Sequence, residues 1–372
     1  MKVNDFVQIL GADFFVGVPD SQLKPLCNYL MCTYGIDPKH HIISANEGTC
    51  TALAAGYNMA TGKVPVVYMQ NSGEGNIINP VASLLNKKVY AIPMIFVIGW
   101  RGEPGVKDEP QHIYQGEITL RLLEDMNISY FVLDKETSVE DFTNVVSNFK
   151  TVLSDGESVA FVVKKNALFF DENIDYNNEY SMTREEIIKH VINASADDPI
   201  ISTTGKASRE LFELREGKSQ GHKRDFLTVG SMGHASSIAL GIALQKPEKR
   251  IWCIDGDGAM IMHMGAMGII GAYKPKNLIH IVINNEAHET VGGLPTVSKH
   301  MDMVSLALSC GYQYAVCVST YEELDEVLKN ATSKNVLSFI EVKSAIGARA
   351  SLGRPTTTPI ENKLEFMKFL SE

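Results

Sequence analysis

The sequence predicts an α/β protein of two doubly wound parallel-sheet domains, and three observations lead there. Short apolar runs alternate with helical segments along both halves, the rhythm of βαβ units whose sheet is covered on both faces. An acidic, amide-rich, aperiodic stretch, FFDENIDYNNEYSMT, interrupts that rhythm near the middle of the chain. In the second half, the stretch from Asp255 to Ala287 contains one complete strand–helix–strand unit.

The apolar runs that read as strands fall at 14–18, 42–44, 64–69, 92–98 and 159–163 in the first half, and at 200–202, 226–229, 250–254, 278–283 and 338–342 in the second. The domains are therefore 1–167 and 183–372, with 168–182 as the linker. The best-defined unit starts with RIWCID, a buried strand that stops at the glycine turn Gly256-Asp257-Gly258. Residues 260–273 have helical character, and LIHIVI at 278–283 is a second apolar strand that ends at Asn284-Asn285. A right-handed crossover puts both strand ends side by side at the carboxyl edge of the sheet, so Asp257 and the paired asparagines face one another. A carboxylate, an amide oxygen and a glycine turn feeding a helix N-terminus suit a hard divalent ion and a diphosphate together.

Composition narrows the functional classes. With 45% hydrophobic and 21% charged residues the 372-residue chain has an ordinary globular balance, and a formal charge of −10 argues against a nucleic-acid binder. No run approaches the length needed to span a membrane, and the N-terminus, MKVNDFVQILGADFF, carries Asp5 and Asp13 and lacks a signal-peptide pattern. A cytoplasmic protein is expected. The six cysteines, Cys27, Cys32, Cys50, Cys253, Cys310 and Cys317, show neither CxxC nor zinc spacing and read as reduced core residues.

GDG followed after 25 residues by NN resembles the signature of thiamine-diphosphate enzymes. The resemblance implies Asp257 and Asn285 as Mg2+ ligands, with the Ala287 carbonyl as the third, and it places Gly256, Gly258 and Ala259 at the diphosphate. Glu286 stands where many relatives have Asp or Gly. It further implies a pyrimidine-binding domain at 1–167 and a diphosphate-binding domain at 183–372, with no room for a middle domain. Cofactor held between domains of different subunits implies self-association.

Glu47 follows a short strand and begins the helical run TCTALAAGYNMATGK, where the helix dipole alone favours a carboxylate. The resemblance makes it the acid that hydrogen-bonds N1′ of the aminopyrimidine, with a pKa raised by burial. By the same likeness Met232 props the cofactor in its bent shape, the Gly230 carbonyl beside Ser231 accepts from the 4′-amino group, and Thr204-Gly205 gives a second diphosphate contact. At the substrate end, Asp20 and Ser21 end the first strand and read equally well as a helix cap. The polar loop 99–112 carries Arg101, Lys107 and His112, where related 2-oxo-acid decarboxylases place a histidine. His288 follows the metal asparagines, and Arg349 and Arg354 lie in a late glycine-bearing loop. Asp20, His112 and His288 are candidates for proton steps; Ser21, Arg101, Lys107, Arg349 and Arg354 are candidates for an anionic substrate.

GVPDS, SANEG, NSGEGN, WRGEPGVKDEPQH, NNEAHETVGG and LGRPTTTP together resemble the 2-oxo-acid decarboxylases of this class, within them the branch that acts on 3-phosphonopyruvate. That likeness implies a carboxy-lyase of phosphonate biosynthesis. The sulfopyruvate branch, with the same layout and an equally short anionic substrate, stays open. So does a non-catalytic nucleotide-binding protein that uses GDG only as a turn.

Overall fold

A computed structural model describes residues 1–372, which divide into two compact units, Met1–Asp175 and Tyr176–Glu372. The first is built on β1 (Phe15–Gly17), β2 (His41–Ile43), β3 (Val66–Gln70), β4 (Ile95–Gly99), β5 (Ser129–Leu133) and β6 (Val159–Val163). All six are parallel, in the order β2-β1-β3-β4-β6-β5. The central strands β4 and β6 are buried throughout, which is why they read as unbroken apolar runs rather than alternating ones. On one face Phe6 and Phe142, from the helices Val3–Leu10 and Val139–Ser154, stack at 5.0 Å and close over Phe161 of β6.

The second unit is built on β7 (Ile200–Ser202), β8 (Asp225–Leu227), β9 (Ile251–Gly256), β10 (Leu278–Asn284), β11 (Tyr314–Val318) and β12 (Ser338–Lys343). Its order is β11-β12-β10-β9-β7-β8, again all parallel. Read from β8 inward, this is the first unit's order strand for strand. In each unit the chain leaves the first strand outward to the second, then crosses back to the third. The gap between first and third strands is therefore the switch point where such sheets place ligands.

Ten of the twelve strands are those the apolar runs predict, within three residues. The additional two, β5 and β11, each lie at a sheet edge and pair with one neighbour only. Short apolar runs between two helices cannot be told by periodicity from a helix end, and pairing decides. The expected helix over 260–273 is two helices, Asp257–Met262 and Gly265–Tyr273, separated at His263 and Met264. The preceding loop presses on that break: a Cβ at Gly233 would lie 2.8 Å from the Ala259 carbonyl and 2.7 Å from the His263 ring.

The unit boundary falls inside 168–182, and each side of that segment is tied to its own unit. The Val3 amide donates to the Phe169 carbonyl and the Phe169 amide to the Met1 carbonyl, while Asn178 donates to the carbonyls of Asn285 at 2.9 Å and Ser344 at 3.0 Å. All six cysteines are free thiols. No helix is long and apolar enough to cross a membrane.

Candidate active site

In the first unit the carboxyl edge of the sheet gathers buried acids. Asn46 caps the helix Glu47–Thr61, its side chain accepting from the Gly48 and Thr49 amides, which leaves the Glu47 side chain free to turn away from the capping role. The Glu47 carboxyl is 5% exposed, accepts from Asn76 Nδ2 at 2.7 Å, and is pushed up in pKa mainly by burial. It lies over Gly73, where a Cβ would come 2.5 Å from Glu47 Cγ. Next to that glycine, Glu74 is fully buried; neither carboxyl oxygen makes a hydrogen bond of ordinary length, Thr119 and Gln115 approaching more loosely, and burial raises it to about 8.

Asp20 sits at the switch point itself. Its carboxylate accepts from Gln70 Nε2 at the end of β3 at 2.6 Å and from the Gln22 amide at 2.9 Å, and burial raises its pKa. The cap alternative for Asp20 and Ser21 fails: the helix Lys24–Tyr34 is capped by Leu23 with no side-chain bond. Gly99, ending β4, is required here, since a Cβ would lie 2.2 Å from Asp20 Oδ2.

The loop after β4 ends sooner than its composition suggests, because the helix Pro110–Asp125 begins at Pro110 and puts His112 in a first turn. Arg101 is clamped by Asp108, with Nε donating at 2.8 Å, and also reaches Ser21 Oγ at 3.1 Å. Its charge is thus already paired, whereas Lys107 is exposed. His112 is partly buried, its Nδ1 has no partner, and burial followed by the Arg101 charge lowers its pKa to about 4. The imidazole is neutral at neutral pH, so it is a proton acceptor or an N–H donor there rather than the charged acid a loop histidine would be.

In the second unit Asp257 is the first residue of its helix and 3% exposed. Its Oδ2 accepts from Thr296 Oγ1 at 2.6 Å and Ser298 Oγ at 2.9 Å, yet burial still raises the acid to about 6. Ser298 Oγ also lies 3.0 Å from Asn284 Oδ1, its single proton available to either oxygen, and so joins Asp257 to the end of β10 as the crossover predicts. Asn285 is oriented at both ends: Oδ1 accepts from the Ala287 amide at 3.1 Å and Nδ2 donates to Glu289 at 2.9 Å. Glu286 adopts a left-handed φ of 59° and is pinned by Tyr180, whose hydroxyl donates at 2.6 Å. That fixed turn delivers Ala287 into a short antiparallel ladder with Pro295. His288 packs against Gly258, is 8% exposed, and is lowered to about 4 by burial.

Glu289 also ties in the loop after β7. Lys206 Nζ contacts it at 2.7 Å, Arg184 pairs with it, and a Cβ on Gly205 would touch Thr290 at 3.1 Å. Thr204 and Gly205 thus share one loop cluster with Asn285. Gly230, Ser231 and Met232 precede the helix Ala235–Gln245 in a partly exposed turn, with Ser231 at a left-handed φ of 56°. Arg349 is bound by Glu185 at 2.9 Å and by Glu213, so it is not a free cation; Arg354 is exposed.

Sequence reasoning did not single out the residues that hold these groups: Asn76 and Gly73 at Glu47, Gln70 at Asp20, Thr296 and Ser298 at Asp257, and Glu289 at Asn285. Two signals are legible: Gln70 and Gly73 directly follow an apolar run at the edge already under suspicion, and Gly73 and Asn76 lie in the NSGEGN motif that carries the resemblance.

The geometry agrees with what the chain is similar to. Residues 3–125 match the model of the N-terminal TPP binding domain of thiamine pyrophosphate enzymes, and residues 204–342 match the C-terminal TPP binding domain. A phosphonopyruvate decarboxylase of Streptomyces viridochromogenes is 30% identical over 97% of this chain and 92% of its own length. A sulfopyruvate decarboxylase of Methanosarcina acetivorans is 26% identical over 92% of this chain and 90% of its own. The beta subunit of a sulfopyruvate decarboxylase from Methanocaldococcus jannaschii is 33% identical, covering 50% of this chain and 95% of that one. With both domain models matched in order and a relative aligned end to end, the chain belongs to the thiamine pyrophosphate enzyme family.

Proposed function

We propose that this enzyme decarboxylates 3-phosphonopyruvate to phosphonoacetaldehyde and CO2, using thiamine diphosphate and Mg2+. The observation that carries this reading is the 30% identity to a phosphonopyruvate decarboxylase over 97% of the chain, set against 26% over 92% for a sulfopyruvate decarboxylase. The reaction breaks the bond between the carboxylate and the keto carbon, and one proton replaces CO2 at that carbon.

The residues present fit the two groups. Asp257, Asn285 and the Ala287 carbonyl are hard oxygen donors, the set Mg2+ prefers. Glu47, whose carboxyl hydrogen-bonds only to an amide and is driven by burial toward its neutral form, suits a donor to a ring nitrogen. When bound, thiamine diphosphate supplies the electron sink for the carbon–carbon cleavage. The chain's own work is then positional and protonic. Glu289 fixes the Asn285 amide and Thr296 and Ser298 fix Asp257, while the Thr204-Gly205 turn and the Gly230–Met232 turn would hold the cofactor. Asp20, raised by burial and held by Gln70, is a candidate to carry a proton in the cycle. His112 and His288, both neutral there, orient substrate through N–H bonds or accept a proton. Of the basic residues, Lys107 is an exposed one to meet a phosphonate. Arg101 and Arg349 would first have to leave their carboxylate partners.

Glu47 and Asp257 belong to different units, and copies of this chain are proposed to pair so that one copy's Glu47 serves the other's Asp257. The deciding experiment is turnover of 3-phosphonopyruvate and sulfopyruvate side by side, with and without thiamine diphosphate and Mg2+. Cofactor-dependent CO2 release with a clear preference for the phosphonate is expected. Preference for the sulfonate would move the chain to the other branch, and no CO2 from either acid would remove the decarboxylase reading.

A further inference from the structure

Beneath the Asp257 loop, in the body of the second sheet, three side chains with metal-binding chemistry converge. Cys253 of β9 lies directly opposite His280 of β10 in the parallel register, and Asp255, two residues on, projects from the same face as Cys253. All three are buried, at 0%, 0% and 1% exposure for Cys253, His280 and Asp255. Their ligand atoms all lie within 4.8 Å of one another.

Two of those atoms lack any partner. His280 Nε2 and Asp255 Oδ2 make no hydrogen bond, although they face each other at 3.6 Å. Buried polar atoms are otherwise nearly always satisfied, and 3.6 Å is beyond hydrogen-bond length. It is close to the separation of two ligands on one tetrahedral ion, roughly 3.4 Å for bonds of about 2.0–2.2 Å. The remaining polar atom of each residue is held from behind: His280 Nδ1 by the Tyr312 hydroxyl at 3.1 Å, and Asp255 Oδ1 by the Gly256 amide at 3.0 Å. A metal-bound histidine and carboxylate need this second layer of support to fix ring tautomer and carboxylate orientation.

We propose that Cys253, Asp255 and His280 form a structural site for a borderline-soft transition-metal ion, Zn2+ by the chemistry of its donors. It is separate from the oxygen-lined pocket at Asp257, because thiolate and imidazole select against Mg2+. An ion there cross-links β9 to β10 directly under the strand ends that carry Asp257 and Asn285. Enclosed on every side, it enters as the unit folds and keeps the thiol deprotonated once bound.

The test is elemental analysis of the full-length protein made with Zn2+ in the medium and purified without chelator, then dialysed against EDTA. About one Zn2+ per chain is expected to survive dialysis. It should persist in Asp257→Asn and fall at least several-fold in Cys253→Ser and in His280→Asn. Protein produced with Co2+ in place of Zn2+ should show a thiolate-to-metal charge-transfer band, a readout that needs no variant to fold. Wild-type protein with neither retained Zn2+ nor that band overturns the proposal. Zn2+ retained equally in soluble Cys253→Ser also overturns it.

Discussion

The two units share one sheet order and put opposite chemistry at its switch point. In the first, the acids at the carboxyl edge are Glu47, Asp20 and Glu74, all raised in pKa by burial, and where they have partners these are amides: Asn76, Gln70 and the Gln22 backbone. In the second, the acid that orients the key amide is ionised: Glu289, next to Asn285, is lowered by Arg184 and Lys206. Asp257 keeps two hydroxyl donors and shares its edge with neutral amide oxygens. Burial, only partly offset by amide donors, favours the neutral carboxyl in the first unit; in the second, two cations hold Glu289 down while Asp257, oriented by hydroxyls, is raised by burial to about 6. The sheet order is the same twice, and the loops at its edge differ; the proposed division gives proton handling to the first unit and the ion to the second.

The sharpest way to break that contrast is to remove one acid from each unit. Asp257→Ala should abolish Mg2+-dependent cofactor binding and lower kcat/KM by at least about 10³-fold, since a hard-ion site is lost. Glu47→Ala should leave the fold and cofactor affinity largely intact while kcat falls by roughly 10²–10⁴, the usual worth of a positioned acid. Calorimetric cofactor titration beside steady-state kinetics separates the two. If both variants lose cofactor equally, or Glu47→Ala turns over like wild type, the division of labour is wrong.

How much of this was legible beforehand follows the range of the interactions. The β9–β10 crossover and the Asp257–Asn284 juxtaposition were legible because apolar run length, a glycine turn and handedness are local. So was the Glu47 helix, ended by Gly62 at a left-handed φ of 69°. The partners were not: Asn76 lies 29 residues from Glu47, and Thr296 and Ser298 lie 39 and 41 from Asp257. A serine or threonine in a turn reads locally as a cap, and only the tertiary fold turns it toward a carboxylate. Arginines mislead in the same way. Arg101 and Arg349 look like free cations in polar loops until Asp108, Glu185 and Glu213 are seen against them.

Glu74 tests the proton-holding half more quietly. Its folded pKa of about 8 stands above the unfolded 4.5, so between those limits the native state keeps a proton the unfolded chain has lost. Stability must then fall as pH rises through that window, by up to about 1.4 kcal/mol per pH unit from this group. Glu74→Gln removes the dependence, so its advantage over wild type should grow from pH 5 to pH 8 and level off above. Denaturant unfolding at several pH values checks this, and parallel wild-type and variant curves would refute it. Smaller again is the steric claim at Gly73, where a Cβ meets the Glu47 carboxyl. Gly73→Ala should cost roughly 10–100-fold in kcat by displacing that acid, whereas Gly75→Ala, which meets nothing within 4 Å, should change kcat little.

The least effect is expected at the surface of the second unit. Arg349 is bound by Glu185 and Glu213, but its side chain and theirs are 38%, 27% and 27% exposed. Pairs that open to water are worth about 0–1 kcal/mol and weaken with salt. Arg349→Ala should therefore shift the unfolding midpoint only slightly, and less at high salt. What makes the variant informative is KM. A guanidinium occupied by two carboxylates contributes little to an anionic substrate, so KM should stay within about threefold of wild type, while Lys107→Ala, which removes an exposed cation, should raise it more. A large KM increase in Arg349→Ala with unchanged kcat would mean that the arginine exchanges its carboxylates for substrate, and that the second unit binds the substrate's charge as well as the metal.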